Sequence, residues 1–306
     1  MDALLIVVPA LIPSPGISFV QVGPFQIRFY ALAILAGIVL AVLITGRRLR
    51  AVGHPAGVVV DVAMWAVPFG ILGARIYHVL THPGDYFFPG ADLWRVLYIW
   101  EGGIAIFGAI LGGLVGIVIG TRRAGIPVLL FLDALAPGML VAQAVGRLGN
   151  YFNQELFGPP TTLPWGLQID PSAPAIPPGT PAGTLFHPLF LYESLLSAMG
   201  VVALLWLGRR FASRMMLGDM LLLYLIWYGA ERFALEFLRF DNWKFGAVPT
   251  AQIVGVAFVL GAIAVMVYRH QTRKPDDTPE EQRGERGVTR GAERRRRRRT
   301  DSQADG

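Results

Sequence analysis

Two stretches of this chain carry side chains that could do chemistry. The first reads Tyr228-Gly-Ala-Glu231-Arg232-Phe-Ala-Leu-Glu236-Phe-Leu-Arg239. At about 100° per residue, the spacings of four, four and three place Tyr228, Arg232, Glu236 and Arg239 on one helix face. Charges inside an apolar run are costly unless they pair, snorkel or line a polar cavity, so this stripe should face the interior of a bundle. It is either a structural salt-bridge ladder near an interface or part of a site for an anion. The second stretch is Gly146-Arg147-Leu148-Gly149-Asn150-Tyr151-Phe152-Asn153-Gln154-Glu155-Leu156-Phe157-Gly158. A guanidinium offers a planar fork to phosphate oxygens, amides add donors, and glycine lets the backbone approach closely. An anionic head group would suit such a segment, and so would a plain helix end with a snorkelling arginine and a glycine turn.

Further outliers in apolar surroundings are Arg75 and His78, Asp133, and His187-Pro188 followed by Tyr192-Glu193. A lone histidine of this kind is more often a satisfied structural residue than a catalyst. Tyr30, just after Arg28, has interfacial anchoring as its simplest reading. The chain has no cysteine, so a disulfide, a thiolate metal site and a cysteine nucleophile are excluded, and any thiol in the chemistry must come from a partner. Histidines and carboxylates show no metal-ligand spacing, and no soluble cofactor is implied.

The elements that must position these groups follow from composition. With 54% hydrophobic and 16% charged residues among 306, the chain lies far from a soluble domain. Its apolar residues gather into continuous runs, each near the roughly 20 helical residues that cross a bilayer core. There are seven, at 28–46, 58–80, 99–120, 127–148, 187–208, 216–238 and 249–268. Continuity rather than alternation in twos predicts helices and not a barrel: an all-α polytopic membrane protein of about seven transmembrane helices. Arginines follow the first run (Arg47, Arg48, Arg50), the third (Arg122, Arg123), the fifth (Arg209, Arg210, Arg214) and the seventh (Arg269 onward). Those ends are expected to be cytoplasmic, with the N-terminus outside and the C-terminus inside. The outer loop, about 150–186, is rich in proline and glycine, which excludes a long regular helix and suits a cover over an outer site. Residues 1–11 resemble neither a signal peptide nor a full span and are expected to lie along the outer interface. Residues 1–272 are thus read as one membrane-embedded catalytic domain, and 273–306, with the arginine run 294–299, as a disordered basic cytoplasmic tail. Much of the basic excess behind the net charge of +6 lies in the last 40 residues, and no motif for nucleic acid accompanies it.

Together these motifs resemble the prolipoprotein diacylglyceryl transferase family, over about residues 25–268. Residues 146–158 match the family pattern G-R-x-G-N-x-x-N-x-E-x-x-G at every fixed position. Trp100-Glu101-Gly102-Gly103, His187-Pro188 with Tyr192-Glu193, and the stripe from Tyr228 add to the likeness. The resemblance implies transfer of the diacylglyceryl group of phosphatidylglycerol to a lipobox cysteine in a prolipoprotein signal peptide, with release of glycerol phosphate. The place would be the bacterial cytoplasmic (inner) membrane, towards its outer leaflet. The implied site positions are Tyr30, Arg147, Asn150, Glu155, Gly158, Tyr228, Arg232 and Glu236. Arg147 and Arg232 would clamp the phosphate, Asn150 and Tyr30 would orient the head group, and Glu155 and Glu236 would position the arginines. Glu155, Glu236 and His187 are the candidates for the base. One position departs: where the family commonly has a histidine, in a pattern like G-G-M-S-F-H-G-G, this chain has Phe107, which cannot transfer a proton. The rival readings are a transporter for an anionic solute, which should show repeat symmetry or helices broken at midplane, and an inactive lipid-binding scaffold.

Overall fold

The computed structural model describes residues 11–240 and 244–272. The expected interfacial segment, apart from its last residue, and the basic tail therefore lie outside the described residues. Among the described residues seven α-helices follow one another: α1 Phe29–Ala51, α2 Val58–Thr81, α3 Ile106–Arg123, α4 Val128–Asn153, α5 Leu189–Arg210, α6 Asp219–Leu235 and α7 Thr250–Gln271. All but α6 are long and apolar enough to cross a membrane. The apolar side chains Leu35, Met64, Leu80 and Val202 stand exposed on these helices, the arrangement expected where the solvent is lipid. The chain is an all-α polytopic membrane protein. Short 3-10 turns and antiparallel strand pairs join the helices, the pairs being β1 Phe19–Val22 with β2 Phe25–Arg28, β3 Leu167–Gln168 with β4 Leu185–Phe186, and β5 Lys244–Phe245 with β6 Val248–Pro249.

Helix ends differ from the apolar runs by a few residues, and three of the differences bear on the site and its supports. The third run was expected from position 99, but α3 starts only at Ile106. Gly102 and Gly103 take φ of 92° and 70°, left-handed values that stop a helix and that glycine alone adopts without strain. At Gly103 there is no room for a side chain either, since an added Cβ would lie 2.6 Å from Arg75 Nη1 and 2.7 Å from the Tyr86 hydroxyl. α4 continues to Asn153 because its polar end, invisible to hydropathy, is still helical. α6 gives way at Leu235 to a 3-10 turn, Glu236–Leu238.

The fold divides into two compact units, 45–134 and the rest of the chain, with boundaries inside α1 and α4. In the first, α2 and α3 pack backbone against backbone. α3 carries Gly108, Gly112, Gly116 and Gly120, one per turn on a single face, and a Cβ at any of them would fall on the α2 backbone or side chains. At Gly112 the obstacle is the Phe69 carbonyl, and at Gly120 it is Val62 Cα at 2.8 Å. Arg75 of α2 is buried, and its guanidinium donates to the carbonyls of Arg95, Val96, Gly102 and Gly103. One side chain thereby satisfies four carbonyls of the connection to α3.

In the second unit Ala136 and Leu140 of α4, Leu204 of α5, and Met220 and Tyr224 of α6 form a buried core. α6 meets α7 at paired glycines, where a Cβ on Gly229 would lie 2.6 Å from the Gly255 carbonyl. The proline-rich connection from α4 to α5 has a core of its own. Phe157, Leu167, Ile169 and Phe186 bury against Phe190 of α5, and the β3–β4 pair closes the loop.

Candidate active site

The site lies in the second unit, where the end of α4, the start of α5 and the end of α6 converge. α4 brings Arg147 and Asn150, α5 brings Glu193, and α6 with its 3-10 turn brings Tyr228, Glu231, Arg232 and Glu236, with Arg239 just beyond. Glu193 is the meeting point. Its carboxylate lies 2.5 Å from Arg147 Nε, 3.3 Å from Arg239 Nη1 and 4.0 Å from Arg232 Nη1. Glu236 takes the other side, 2.9 Å from Arg232 Nη2 and 3.9 Å from Arg239 Nε. Both carboxylates are buried. A buried carboxylate needs cations around it, and these two are each shared between arginines, so the guanidiniums are fixed without being fully neutralised.

The turn after α4 explains where Asn150 points. Gln154 and Leu156 adopt φ of 52° and 58°, left-handed values that cost a side-chain-bearing residue of order 1–3 kcal/mol. The turn persists because its neighbours bind it on both sides. Gln154 Oε1 accepts from the Ser14 hydroxyl at 2.6 Å and from the Asp170 amide at 2.7 Å. The Leu156 carbonyl accepts from the Phe190 amide at 2.9 Å. Reversed in this way, the chain returns Glu155 to the end of α4, where its carboxylate accepts from Asn150 Nδ2 at 2.7 Å and Asn153 Nδ2 at 3.2 Å. Asp170, at the far side of this contact, accepts from the Ser172 backbone amide and hydroxyl, which hold its carboxyl below the usual range.

A cavity of about 630 Å³ opens beside these groups, lined by Arg147, Asn150, Glu155 and Arg239, with Phe157 and Leu189 as apolar wall. It combines a cationic end with amide donors and an apolar flank, as a lipid head group and its first carbons require. A second, small void of about 20 Å³ is lined by Arg147 together with Gln143, Tyr228, Glu231 and Arg232.

The structure therefore brings Arg147, Tyr228, Arg232 and Glu236 together around Glu193, and sets Asn150 and Glu155 on the cavity that Arg147 shares. Tyr30 packs on the other side of α4, where Gly149 leaves room for it: an added Cβ would lie 3.0 Å from its ring. Gly158 admits the Leu238 carbonyl, which a Cβ would meet at 2.9 Å, and so ties the loop to the end of the α6 segment. Two placements differ from expectation. Glu155 engages asparagines rather than arginines. His187 Nδ1 lies 3.2 Å from the Tyr192 hydroxyl, which also accepts from Trp165 Nε1, so this histidine belongs to the loop's own packing. Glu193 went unrecognised as the hub. Its signal was a carboxylate one turn into an apolar run, where a paired cation would offset its cost.

The fold and the site define an all-α membrane protein with a half-buried arginine cluster beside an amphipathic cavity, an arrangement with the chemistry to accommodate an anionic head group. Residues 17–268 match the family described as prolipoprotein diacylglyceryl transferase. Over 281 residues the chain is 53% identical to the phosphatidylglycerol–prolipoprotein diacylglyceryl transferase of Leifsonia xyli subsp. xyli, spanning 87% of this chain and 84% of that one. A protein of the same name from Paenarthrobacter aurescens is 46% identical over 86% of this chain and 85% of its own length. One from Mycobacterium tuberculosis is 44% identical over 81% of this chain and 53% of the longer relative. The chain belongs to the prolipoprotein diacylglyceryl transferase family and is a transferase.

Proposed function

We propose that the chain joins the diacylglyceryl group of phosphatidylglycerol to the lipobox cysteine thiol of a prolipoprotein signal peptide and releases glycerol phosphate, at the outer leaflet of the bacterial cytoplasmic membrane. The observation that carries this reading is the sharing of Glu193 and Glu236 among Arg147, Arg232 and Arg239 at the mouth of the cavity. Three guanidiniums face two carboxylates, and a phosphodiester supplies a further negative charge. As the glyceryl carbon–oxygen bond breaks, the phosphate gains charge, so arginines already held in place stabilise the transition state more than the bound lipid. Arg147 and Arg232 clamp the phosphate, with Arg239 beside them. Asn150, held by Glu155, orients the glycerol head group, and Tyr30 fixes the outer end of α4 through Gly149. α6, with 17 residues extended by its 3-10 turn, crosses along with the other six helices, and an odd number of crossings leaves the N-terminus outside and the C-terminus in the cytoplasm.

The test is mass spectrometry of a lipobox peptide incubated with purified protein and phosphatidylglycerol, beside Arg147→Ala and Arg232→Ala variants. Diacylglyceryl addition at the cysteine by the native protein, reduced about 1,000-fold in each variant, is the expected result. A folded native protein that binds the lipid and modifies no peptide, while an active family member works in the same assay, would show a lipid-binding scaffold instead.

A further inference from the structure

The transfer needs a group to take the thiol proton, and Phe107 stands where the resemblance would place a histidine. The carboxylates nearest the arginines are all engaged. Glu193 and Glu236 hold guanidiniums, and Glu155 holds two asparagines. Glu231 differs from them. It lies on α6 directly before Arg232, yet no arginine, lysine or histidine among the described residues comes within 4 Å of its oxygens. Its partners are neutral: both oxygens lie near one hydroxyl, Ser197 Oγ of α5, at 3.0 and 3.3 Å, and the Trp227 indole adds a side-chain hydrogen bond.

Glu231 also borders the small void, whose volume of about 20 Å³ holds roughly one water molecule. Two polar atoms of residues lining the same void, Gln143 Oε1 and Arg232 Nη1, are buried without a hydrogen-bond partner among the described residues. Buried polar groups are rarely left in that condition unless a water or a ligand completes them. A water in the void has an acceptor in Gln143, a donor in Arg232 and a carboxylate in Glu231, and Arg147 lines both this void and the larger cavity.

We propose, on the transferase reading above, that Glu231 receives the proton of the lipobox thiol through this water. The S–H bond breaks, the proton passes to the water, and a proton of that water passes to a Glu231 oxygen. The sulfur electron pair forms the bond to the glyceryl carbon, and the carbon–oxygen bond breaks with its pair moving to the phosphate oxygen. Glu231 loses its negative charge as the departing phosphate gains one, so the net charge of the arginine cluster does not change across the step. The Glu231 proton then leaves with glycerol phosphate or to water.

The experiment measures peptide modification by mass spectrometry over a pH series, for the full-length protein and for Glu231→Gln and Glu231→Asp in phosphatidylglycerol-containing nanodiscs. Lipid retention and the thermal midpoint are followed in parallel. Glu231→Gln is expected to lower turnover at least about 100-fold and to remove the acid limb of the rate profile, with lipid retention and midpoint unchanged. Glu231→Asp is expected to keep the acid limb at reduced rate. A Glu231→Gln protein with native rate and native pH profile would overturn the proposal, as would a slowed one whose profile keeps its shape. Absence of transfer by the native protein would instead overturn the transferase reading itself.

Discussion

The α2–α3 pair and the α4–α5–α6 cluster solve opposite problems of helix packing in lipid. Between α2 and α3 the side chains are removed: the stripe from Gly108 to Gly120 lets two backbones touch, and dispersion over a close surface holds them. Between α4, α5 and α6 the helix ends are separated by long charged side chains, and ion pairs to Glu193 and Glu236 span the gap. The first arrangement leaves little room between the helices, and the second leaves cavities. The difference teaches that rigidity and reactivity are assigned to different helices here. A glycine contact tolerates no added atom, whereas an arginine contact tolerates, and in this site requires, an added anion.

Among the tests of this comparison, the largest effect should come from removing the shared carboxylate. Glu193→Gln withdraws the only described carboxylate that Arg147 meets within 4 Å and one of two that Arg239 meets, while keeping the size of the side chain. Turnover should fall about 100-fold or more, since a misplaced guanidinium no longer meets the charge that develops on the phosphate. Breaking a fully buried pair costs about 3–5 kcal/mol, and the loss here should lie below that range because the Arg147 side chain is 38% exposed. Peptide modification and thermal unfolding in detergent check the two parts. Native turnover in Glu193→Gln would mean that Arg147 is held by something other than this pair.

The glycine side of the comparison is tested by one added side chain. Gly112→Val places atoms on the Phe69 carbonyl and should destabilise the protein by about 2 kcal/mol or more, the cost of overpacking a tight contact. Gly261→Ala on α7 is the matched control. A Cβ there meets nothing within 4 Å, so the thermal midpoint should hold or rise. Equal losses in the two variants would show that close packing against α2 does not set the cost.

What could be read from the sequence divides along the same line. The seven helices were legible because hydrophobic length is a local property. The polar face Tyr228, Arg232, Glu236 was legible because helical periodicity and the cost of intramembrane charge suffice to find it. Two features were not. Glu193 became the hub only through the packing of α5 against α6, which no spacing in the chain encodes. Glu231 sits one position before Arg232, off the stripe, and its separation from the cations is a three-dimensional fact. The four-residue glycine spacing of α3 was present as a pattern, but a pattern of small residues names no partner until α2 is seen against it. The start of α3 was misplaced for a similar reason: apolar residues continue through Ile99, while the positive φ of Gly102 and Gly103 ends any helix there.

The smallest effect sharpens the comparison, because Arg75 is an arginine on the glycine-packed pair. Here the guanidinium meets no carboxylate among the described residues within 4 Å. It donates Nε to the Val96 carbonyl at 2.7 Å and Nη1 to Gly102 and Gly103 at 2.8 Å, and its face lies 4.9 Å from the Tyr86 ring. Lysine keeps the charge but offers one ammonium in place of a planar fork, so Arg75→Lys cannot reach all these carbonyls at once. Hydrogen bonds from a charged donor contribute about 1.5–3 kcal/mol each, and water or the remaining ammonium contacts should recover much of that, for a net loss of about 1 kcal/mol. The loss should be local. Hydrogen exchange is expected to quicken in residues 93–103 and to stay unchanged in the middle of α2 and α3, where the glycine contact persists. Faster exchange throughout both helices would show instead that this arginine, and not the glycine stripe, holds the pair together.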